Sequence, residues 1–279
     1  MERRPFGATG ASVPVVGQGT WRFRDAAKAE AALRVGLELG LTHVDTAELY
    51  AGAEEIVGRV VADRRDDVFL VSKVLPRHAS RGGTVKACQA SLDRLRTQRL
   101  DVYLLHWNER HVDLAETMGA MGELIDDGKT RFAGVSNFDV AEVEEARAAL
   151  GHHRLACDQV LYHLGDRGIE HELVPYCAKN GIAVVAYSPF GGPSASWPPG
   201  GKKGARTLQE IATKHGKTPR QVCLNFLARH ENVFVIPKAE TEPHVRENAG
   251  ASGWTLDDED VAAIDEAFPL GKPRGLGML

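Results

Sequence analysis

The chain has 279 residues, of which 43% are hydrophobic and 26% charged. This composition is typical of a globular protein and argues against a largely disordered one. The formal net charge is −4 and the basic clusters Arg3-Arg4 and Lys202-Lys203 are short, so the sequence predicts no nucleic-acid partner.

Membrane and metal-binding classes are not favoured either. The amino-terminal MERRPFGATG has no apolar segment after its arginines, and no apolar run approaches the length of a membrane span. The histidines include an adjacent pair, His152-His153, but no H-E-x-x-H or paired Cys/His spacing, so no metal site is predicted. The scattered cysteines predict a reduced, cytoplasmic protein in which they are small buried side chains; they are Cys88, Cys157, Cys177 and Cys223.

Short apolar or alternating segments recur along the chain, and the intervals between them leave room for a helix, as parallel strand crossovers require. The predicted strands are VPVVGQG (13–19), THVDTA (42–47), FLVSKV (69–74), DVYLLH (101–106), FAGVSN (132–137), CDQVLYH (157–163), AVVAYSP (183–189) and VFVIPKA (233–239).

Helical patterns lie between these strands. The segment 26–40 places Ala29, Leu33 and Leu37 along one side and ends at Gly40. The segment 84–96 begins at a predicted cap, Thr84, and places Val85 on its apolar face with Cys88, Leu92 and Leu95. Further helices are predicted at 114–128, at 139–150 behind an aspartate cap, and at 205–215 and 218–229 in the long last interval.

Eight strands alternating with helices, without a dividing linker, predict an α/β fold: a single (β/α)8 TIM barrel domain over 1–279. The segment 4–14, with its Gly7-Ala8-Thr9-Gly10 turn, predicts an amino-terminal β-hairpin closing the bottom of the barrel. The doubled pattern in the last interval predicts an extra helix near the carboxyl terminus. A doubly wound open sheet is the alternative, but its G-x-G-x-x-G fingerprint would have to lie near Gly17-Gln18-Gly19, where no third glycine follows.

In a (β/α)8 barrel the chemistry lies at the carboxyl ends of the strands. Asp45, Lys73 and His106 end three consecutive predicted strands, and Tyr50 closes the stretch HVDTAELY (43–50) that begins in the first of them. Each residue alone has a structural explanation, such as a helix cap or a core histidine. Together they converge, because consecutive strands are neighbours in the barrel.

Lys73 is the most informative of these residues, because FLVSKV is otherwise nearly all apolar and a buried ammonium requires a partner. Asp45 is the predicted partner. The pair is expected to place a positive charge near the Tyr50 hydroxyl and to lower its pKa from about 10 toward the working pH. A neutral His106 is expected to orient a substrate oxygen. The sequence therefore predicts a proton-donating site aimed at a carbonyl group.

The chain resembles the aldo-keto reductases, in particular their compact prokaryotic branch. The resemblance rests on Asp45, Tyr50, Lys73 and His106 together with GVSNF (134–138), Gln159, AYSP (186–189) and IPKA (236–239) followed by EN (247–248). It covers essentially the whole chain. Only WNERHV separates His106 from the next helix, where longer members of the family carry a large substrate loop.

The resemblance implies a role for each matching residue. Asp45, Tyr50, Lys73 and His106 match the catalytic tetrad, with Tyr50 as the general acid. Trp21, Tyr50, His106 and Trp107 match the substrate pocket. The residues matching the NADPH site are Thr20, Trp21, Asp45, Ser136, Asn137, Gln159, Tyr187, Ser188, Pro189, Phe190, Lys238, Ala239, Thr241, His244, Glu247 and Asn248. The stretch FGGPSASWPPGG (190–201) matches the loop that closes over the pyrophosphate.

Three positions depart from the family pattern. Ala239 replaces a common serine, and His244 replaces the arginine that grips the 2′-phosphate of NADPH. These two changes predict that NADPH is preferred through Lys238 while NADH remains usable. Asn108 replaces a proline that commonly follows His106-Trp107, which affects only the shape of the pocket.

The predicted function is therefore reduction of an aldehyde or ketone, with hydride from nicotinamide C4 and a proton from Tyr50. One alternative is a nucleotide-binding regulatory subunit on the same fold with little turnover. Another is a lyase that uses Lys73 as a Schiff-base lysine, which Asp45 disfavours by holding the amine protonated. The substrate is expected to depend on loops around 21–25, 107–111 and 270–279. A small-molecule carbonyl substrate, no membrane partner and a monomeric state are expected.

Overall fold

The computed structural model of the protein describes residues 1–192, 196–273 and 275–278. A two-stranded antiparallel hairpin is formed by β1 (Arg3–Pro5) and β2 (Ser12–Pro14). A parallel sheet follows, in chain order: β3 (Gln18–Gly19), β4 (His43–Asp45), β5 (Phe69–Val74), β6 (Leu100–Leu105), β7 (Thr130–Ser136), β8 (Leu155–Leu161), β9 (Ala183–Tyr187) and β10 (Val233–Val235). Bridges Val16–Val235 and Gly19–Lys238 join its two edges. The predicted (β/α)8 barrel is confirmed.

Helices cover the outside of this barrel. They are α1 (Ala26–Glu38), α2 (Ala53–Val61), α3 (Arg81–Leu95), α4 (Leu114–Asp126), α5 (Val140–Ala149), α6 (Leu173–Lys179), α7 (Gly201–His215), α8 (Pro219–Leu227), α9 (Glu242–Ala249) and α10 (Asp258–Ala267). Both α7 and α8 lie between β9 and β10, and α10 follows α9, so the additional helices near the carboxyl terminus are confirmed. Within the described ranges, no helix has the length and apolarity needed to cross a bilayer.

The hairpin closes the bottom of the barrel, as predicted. Phe6 follows β1, is fully buried, and packs its ring against those of His43, Phe69 and Phe234. These three residues lie at or near the amino-terminal ends of β4, β5 and β10. Phe6 therefore plugs the end of the barrel opposite the strand ends where the polar residues were predicted.

The predicted single strand 13–19 is wrong in its extent. Residues 12–14 form β2 and pair with β1 of the hairpin, whereas Gln18 and Gly19 pair with β4. One apolar segment thus serves two sheets. Its hydrophobic residues are buried in both, which is why the pattern alone did not divide it.

The predicted start of α3 at Thr84 is also wrong. The helix begins one turn earlier, at Arg81, where the Ser80 hydroxyl accepts the Gly83 N–H. Thr84 is buried inside the helix, with its hydroxyl directed at the His78 carbonyl, and Val85 is exposed rather than on the apolar face. By contrast, Asp139 caps α5 as the sequence predicted, and the structure adds a capping box with Glu142.

Candidate active site

The polar strand ends continue rows of side chains that point into the barrel. Alternate residues of a strand face the same side, and the interior cluster includes Phe69 and Val71 of β5, which are followed by Lys73 at the same spacing. The same alternation carries Val102 and Leu104 to His106, and Phe234 and Ile236 to Lys238. The alternation that buries an apolar row thus brings one polar group from each of these three strands to the top of the barrel.

Lys73 and Asp45 form a buried ion pair at this end. Lys73 Nζ lies 2.6 Å from Asp45 Oδ1 and donates a second hydrogen bond of 2.8 Å to the Thr46 carbonyl, and both side chains are essentially inaccessible to solvent. Burial raises the pKa of the Asp45 carboxyl and lowers that of the Lys73 ammonium, and their mutual attraction opposes both shifts. Asp45 Oδ2 accepts a bond of 2.7 Å from Gln159 Nε2, so the carboxylate joins β4, β5 and β8.

Tyr50 lies beside this pair, with Lys73 Nζ 5.0 Å from the centroid of its ring. The expectation that Lys73 lowers the Tyr50 pKa is wrong for this structure. Burial raises the pKa of the phenol well above its ordinary value, and the nearby Asp45 carboxylate raises it further. Asp45, 2.6 Å from Lys73 Nζ, compensates part of the lysine charge, so the ammonium offsets these two effects only in part. The hydroxyl is therefore fully protonated at neutral pH.

His106 is neutral, as the sequence analysis expected. Burial, reinforced by the Lys73 charge, lowers its pKa to about 2. The imidazole meets the Tyr50 ring edge to face at 5.7 Å and the Trp107 ring at 4.9 Å. Its Nδ1 is buried without a hydrogen-bond partner among the described residues. A neutral imidazole offers one N–H donor, which suits it to bind an uncharged oxygen.

A cavity of about 240 Å³ opens above these groups. It is lined by Gly19, Thr20, Trp21, Asp45, Leu49, Tyr50, His106, Trp107, Ser136, Asn137, Gln159, Tyr187, Ser188, Ile236, Lys238 and Met278. The structure thus brings the predicted proton donor, the predicted pocket residues and the predicted nicotinamide contacts to one place. Lys73 stands behind the wall, bound to Asp45.

One side of the cavity is a hydrogen-bonded amide network. Ser136 Oγ donates to the Gln159 carbonyl at 2.7 Å, Asn137 Nδ2 donates to the His106 carbonyl at 3.1 Å, and the Tyr187 hydroxyl donates to Asn137 Oδ1 at 2.8 Å. Asn137 and Ser188 adopt positive φ values of 62° and 49°. Such values are unfavourable for residues other than glycine and cluster at functional sites.

The predicted adenosine contacts lie outside this cavity, apart from Lys238. Thr241 is the residue before α9, and His244 is exposed on that helix. Glu247 accepts a bond of 2.7 Å from the Thr218 hydroxyl, and Asn248 is buried. Ala239, Pro189 and Phe190 flank the cavity residues in the chain. Of the predicted pyrophosphate loop 190–201, residues 193–195 lie outside the described part of the structure.

Four of the lining residues and one neighbour of the site were not predicted from the sequence. Leu49 lies inside HVDTAELY, whose polar residues alone were assigned to the site. Gly19 and Ile236 lie at the ends of predicted strands, and Met278 lies in the predicted 270–279 loop. The neighbour is Glu240, whose Oε2 lies 2.5 Å from Lys238 Nζ. Lys238 was predicted to favour NADPH, but the structure pairs its ammonium with the Glu240 carboxylate.

Comparison with known proteins places this geometry in context. The model of the family described as the aldo/keto reductase family matches residues 15–268. Among curated proteins, the chain is 45% identical over 269 residues to the methylglyoxal reductase YeaE of Escherichia coli (strain K12), an alignment that covers 94% of each chain.

Solved structures agree with the sequence matches. The aldo/keto reductase of Klebsiella pneumoniae in complex with NADP and acetate superposes with a TM-score of 0.90 at 38% identity, covering 100% of both chains. The thermostable aldo-keto reductase Tm1743, in complex with the inhibitor epalrestat, superposes with a TM-score of 0.89 at 38% identity and covers 96% of this chain and 100% of its own. These relatives share the entire barrel, not a fragment of it.

Proposed function

Because the chain belongs to the aldo/keto reductase family, we propose that it reduces aldehydes or ketones to alcohols with NADPH, and with NADH as a second coenzyme. The observation that supports this most is the shared cavity wall of Tyr50 and neutral His106, with the buried Lys73–Asp45 pair directly behind. One protonated hydroxyl and one neutral imidazole facing the same small cavity can both donate hydrogen bonds to a carbonyl oxygen, and the hydroxyl can also supply it with a proton.

A nicotinamide coenzyme, when bound, would supply a hydride for the carbonyl carbon. Tyr50 donates its proton to the carbonyl oxygen; its raised pKa keeps it in the protonated form needed for this step. As the phenolate forms, the ammonium of Lys73, 5.0 Å from the ring, stabilises the new negative charge. His106 donates a hydrogen bond to the same oxygen and fixes its direction.

The residues of the cavity fit a nicotinamide nucleotide. The Thr20 hydroxyl is buried without a partner among the described residues, and a bound ligand would satisfy it. Ser136, Asn137 and Gln159 present amide and hydroxyl groups for the carboxamide, and Tyr187 presents a ring to stack on. Ser188, Pro189, Phe190 and the following loop are proposed to hold the pyrophosphate. Lys238, Ala239, Thr241, His244, Glu247 and Asn248 are proposed to hold the adenosine end.

The rim of the cavity favours a small substrate with an apolar side. Trp21, Leu49, Trp107 and Met278 line it, and Leu49 and Met278 remain 43% and 56% exposed. A relative 45% identical to this chain is a methylglyoxal reductase. We therefore propose small aldehydes, including α-oxoaldehydes such as methylglyoxal, as the first substrates to test.

The remaining elements of the proposal are a single barrel domain over 1–279, a cytoplasmic monomer and a reaction that needs no metal. The Schiff-base alternative is disfavoured because Lys73 Nζ is buried and bound by two oxygens. The test is steady-state oxidation of NADPH by the purified protein with methylglyoxal and with an aromatic aldehyde. Turnover with either carbonyl supports the proposal. Tight nucleotide binding without turnover of any aldehyde or ketone would favour the regulatory-subunit alternative instead.

A further inference from the structure

Glu240 connects the cation of the proposed coenzyme site to the loop that faces it. Its Oε2 accepts a bond of 2.5 Å from Lys238 Nζ, and its Oε1 accepts the backbone N–H groups of Arg24 and Asp25, the latter at 3.2 Å. The Glu240 side chain is 16% exposed, against 33% for that of Lys238. Burial alone would raise the pKa of this carboxyl, but the Lys238 ammonium and the two N–H groups hold it below the ordinary glutamate value. Glu240 is therefore a carboxylate at neutral pH.

Glu240 is anchored and does not merely satisfy a flexible lysine. Its two backbone partners lie immediately before α1, where unpaired N–H groups and the helix dipole favour a negative charge. Lys238 Nζ also lies 5.8 Å from the ring of Phe23, in the same loop. These contacts hold the carboxylate beside Lys238.

The pair has a direct consequence for coenzyme discrimination. NADPH differs from NADH by a phosphate on the adenosine ribose, and a phosphate monoester carries up to two negative charges near neutral pH. The phosphate is attracted by the Lys238 ammonium and repelled by the Glu240 carboxylate. Because these two side chains together carry no net charge, their net attraction for the phosphate is weak. The 2′-hydroxyl of NADH has no charge to repel and can donate a hydrogen bond to a carboxylate oxygen.

We propose that Glu240 is a specificity-determining residue that weakens the binding of the 2′-phosphate and so keeps NADH usable. This inference rests on the proposed function, because Lys238 must lie at the adenosine end of a bound coenzyme. Two features would then limit the expected preference for NADPH: the Glu240 carboxylate, and His244 in the place of an arginine.

The test separates the charge of Glu240 from its anchoring of the loop. Glu240→Gln removes the charge and keeps an oxygen that can accept the Arg24 and Asp25 N–H groups, whereas Glu240→Ala removes both. Glu242→Gln is the matched control: it removes one negative charge two residues away, from a side chain that pairs with Arg246 among the described residues. Dissociation constants for NADPH and NADH are measured by fluorescence titration, and those for 2′-AMP and 5′-AMP by calorimetry.

We expect Glu240→Gln to tighten NADPH and 2′-AMP by about tenfold, the scale of one charge-assisted contact. NADH and 5′-AMP should not tighten, and Glu242→Gln should change neither pair. Equal shifts for both members of each pair, or no shift, would overturn the inference. If the proposed function is wrong, the wild-type chain binds both coenzymes but reduces no carbonyl. The ratio of the NADH and NADPH dissociation constants can then still be measured. A chain that binds neither nucleotide overturns both proposals.

Discussion

Replacing Lys73 with methionine should leave the buried Asp45 carboxylate without its ion-pair partner. The methionine fills a similar volume, but within the described part of the chain the remaining partner of Asp45 is then the Gln159 amide, and the carboxyl is 2% exposed. A buried ion pair that loses one member costs about 3 to 5 kcal/mol of unfolding free energy, because the remaining charge is uncompensated. The carboxyl can escape this cost only by taking up a proton.

Protonation sets a ceiling on the loss and gives it a pH dependence. An unfolded aspartate has a pKa of about 3.9, so holding it protonated at pH 7 costs about 4 kcal/mol, and at pH 5 about 1.5 kcal/mol. Burial raises the folded pKa of Asp45, and a group shifted in this direction loses stability as pH rises above the unfolded value. Lys73→Met should therefore be destabilised by about 3 to 4 kcal/mol at pH 7 and by less than half of that at pH 5.

Urea unfolding followed by tryptophan fluorescence at the two pH values measures this loss. The control is the double variant Asp45→Asn/Lys73→Met, which removes the stranded charge and should recover most of the stability at pH 7. Neither variant should reduce carbonyls at more than about one hundredth of the wild-type rate, since the charge that stabilises the Tyr50 phenolate is gone. If Lys73→Met alone is inactive yet fully stable at pH 7, water or another group solvates Asp45. That result would refute the predicted cost of the uncompensated carboxylate.

Three further predictions concern single positions. Tyr50→Phe should lower the rate of carbonyl reduction by about two orders of magnitude or more while leaving the NADPH dissociation constant within about twofold, because only the proton donor is lost; near-normal turnover would exclude Tyr50 from that role. His244→Arg should tighten NADPH more than NADH in fluorescence titrations, because a guanidinium binds phosphate through two hydrogen bonds; an unchanged ratio would mean that position 244 does not reach the phosphate. Asp158→Asn should stabilise the protein by at least about 1 kcal/mol at pH 7 in urea unfolding. Burial raises the Asp158 pKa well above its ordinary value, with Glu142 and Asp139 adding to the shift and the Phe138 N–H only partly opposing it; the wild type therefore loses stability as pH rises from about 4, and a gain that did not grow between pH 5 and pH 7 would contradict this assignment.

Much of the fold could be predicted because strand alternation and burial act over a few residues. FLVSKV (69–74) coincides with β5, since its six residues are all buried and its ends are fixed by the chain entering and leaving the barrel. The failures are of another kind. Ser80 and Thr84 are both capable helix caps, and only the packing of Thr84 under the His78 carbonyl decides between them.

The residues of the site were predictable for a related reason, and its electrostatics were not. Alternation along each strand delivers Asp45, Lys73 and His106 to the same end, and this follows from sequence once the barrel is recognised. The pKa of Tyr50 and the pairing of Lys238 depend on distances between segments remote in the chain. Burial and Asp45 reverse the first expectation, and Glu240 modifies the second, through contacts that no local pattern contains.

Asp45 links the two halves of the proposed reaction. One of its oxygens holds the Lys73 ammonium that is proposed to stabilise the Tyr50 phenolate, and the other holds the side chain of Gln159, which is proposed to contact the nicotinamide carboxamide. The Gln159 backbone carbonyl in turn receives the Ser136 hydroxyl. The position of the carboxylate is therefore coupled both to the proposed electrostatic support of Tyr50 and to the proposed coenzyme contacts. We infer that this buried ion pair, which contributes little net stability, couples the position of the proposed proton donor to that of the proposed nicotinamide contacts.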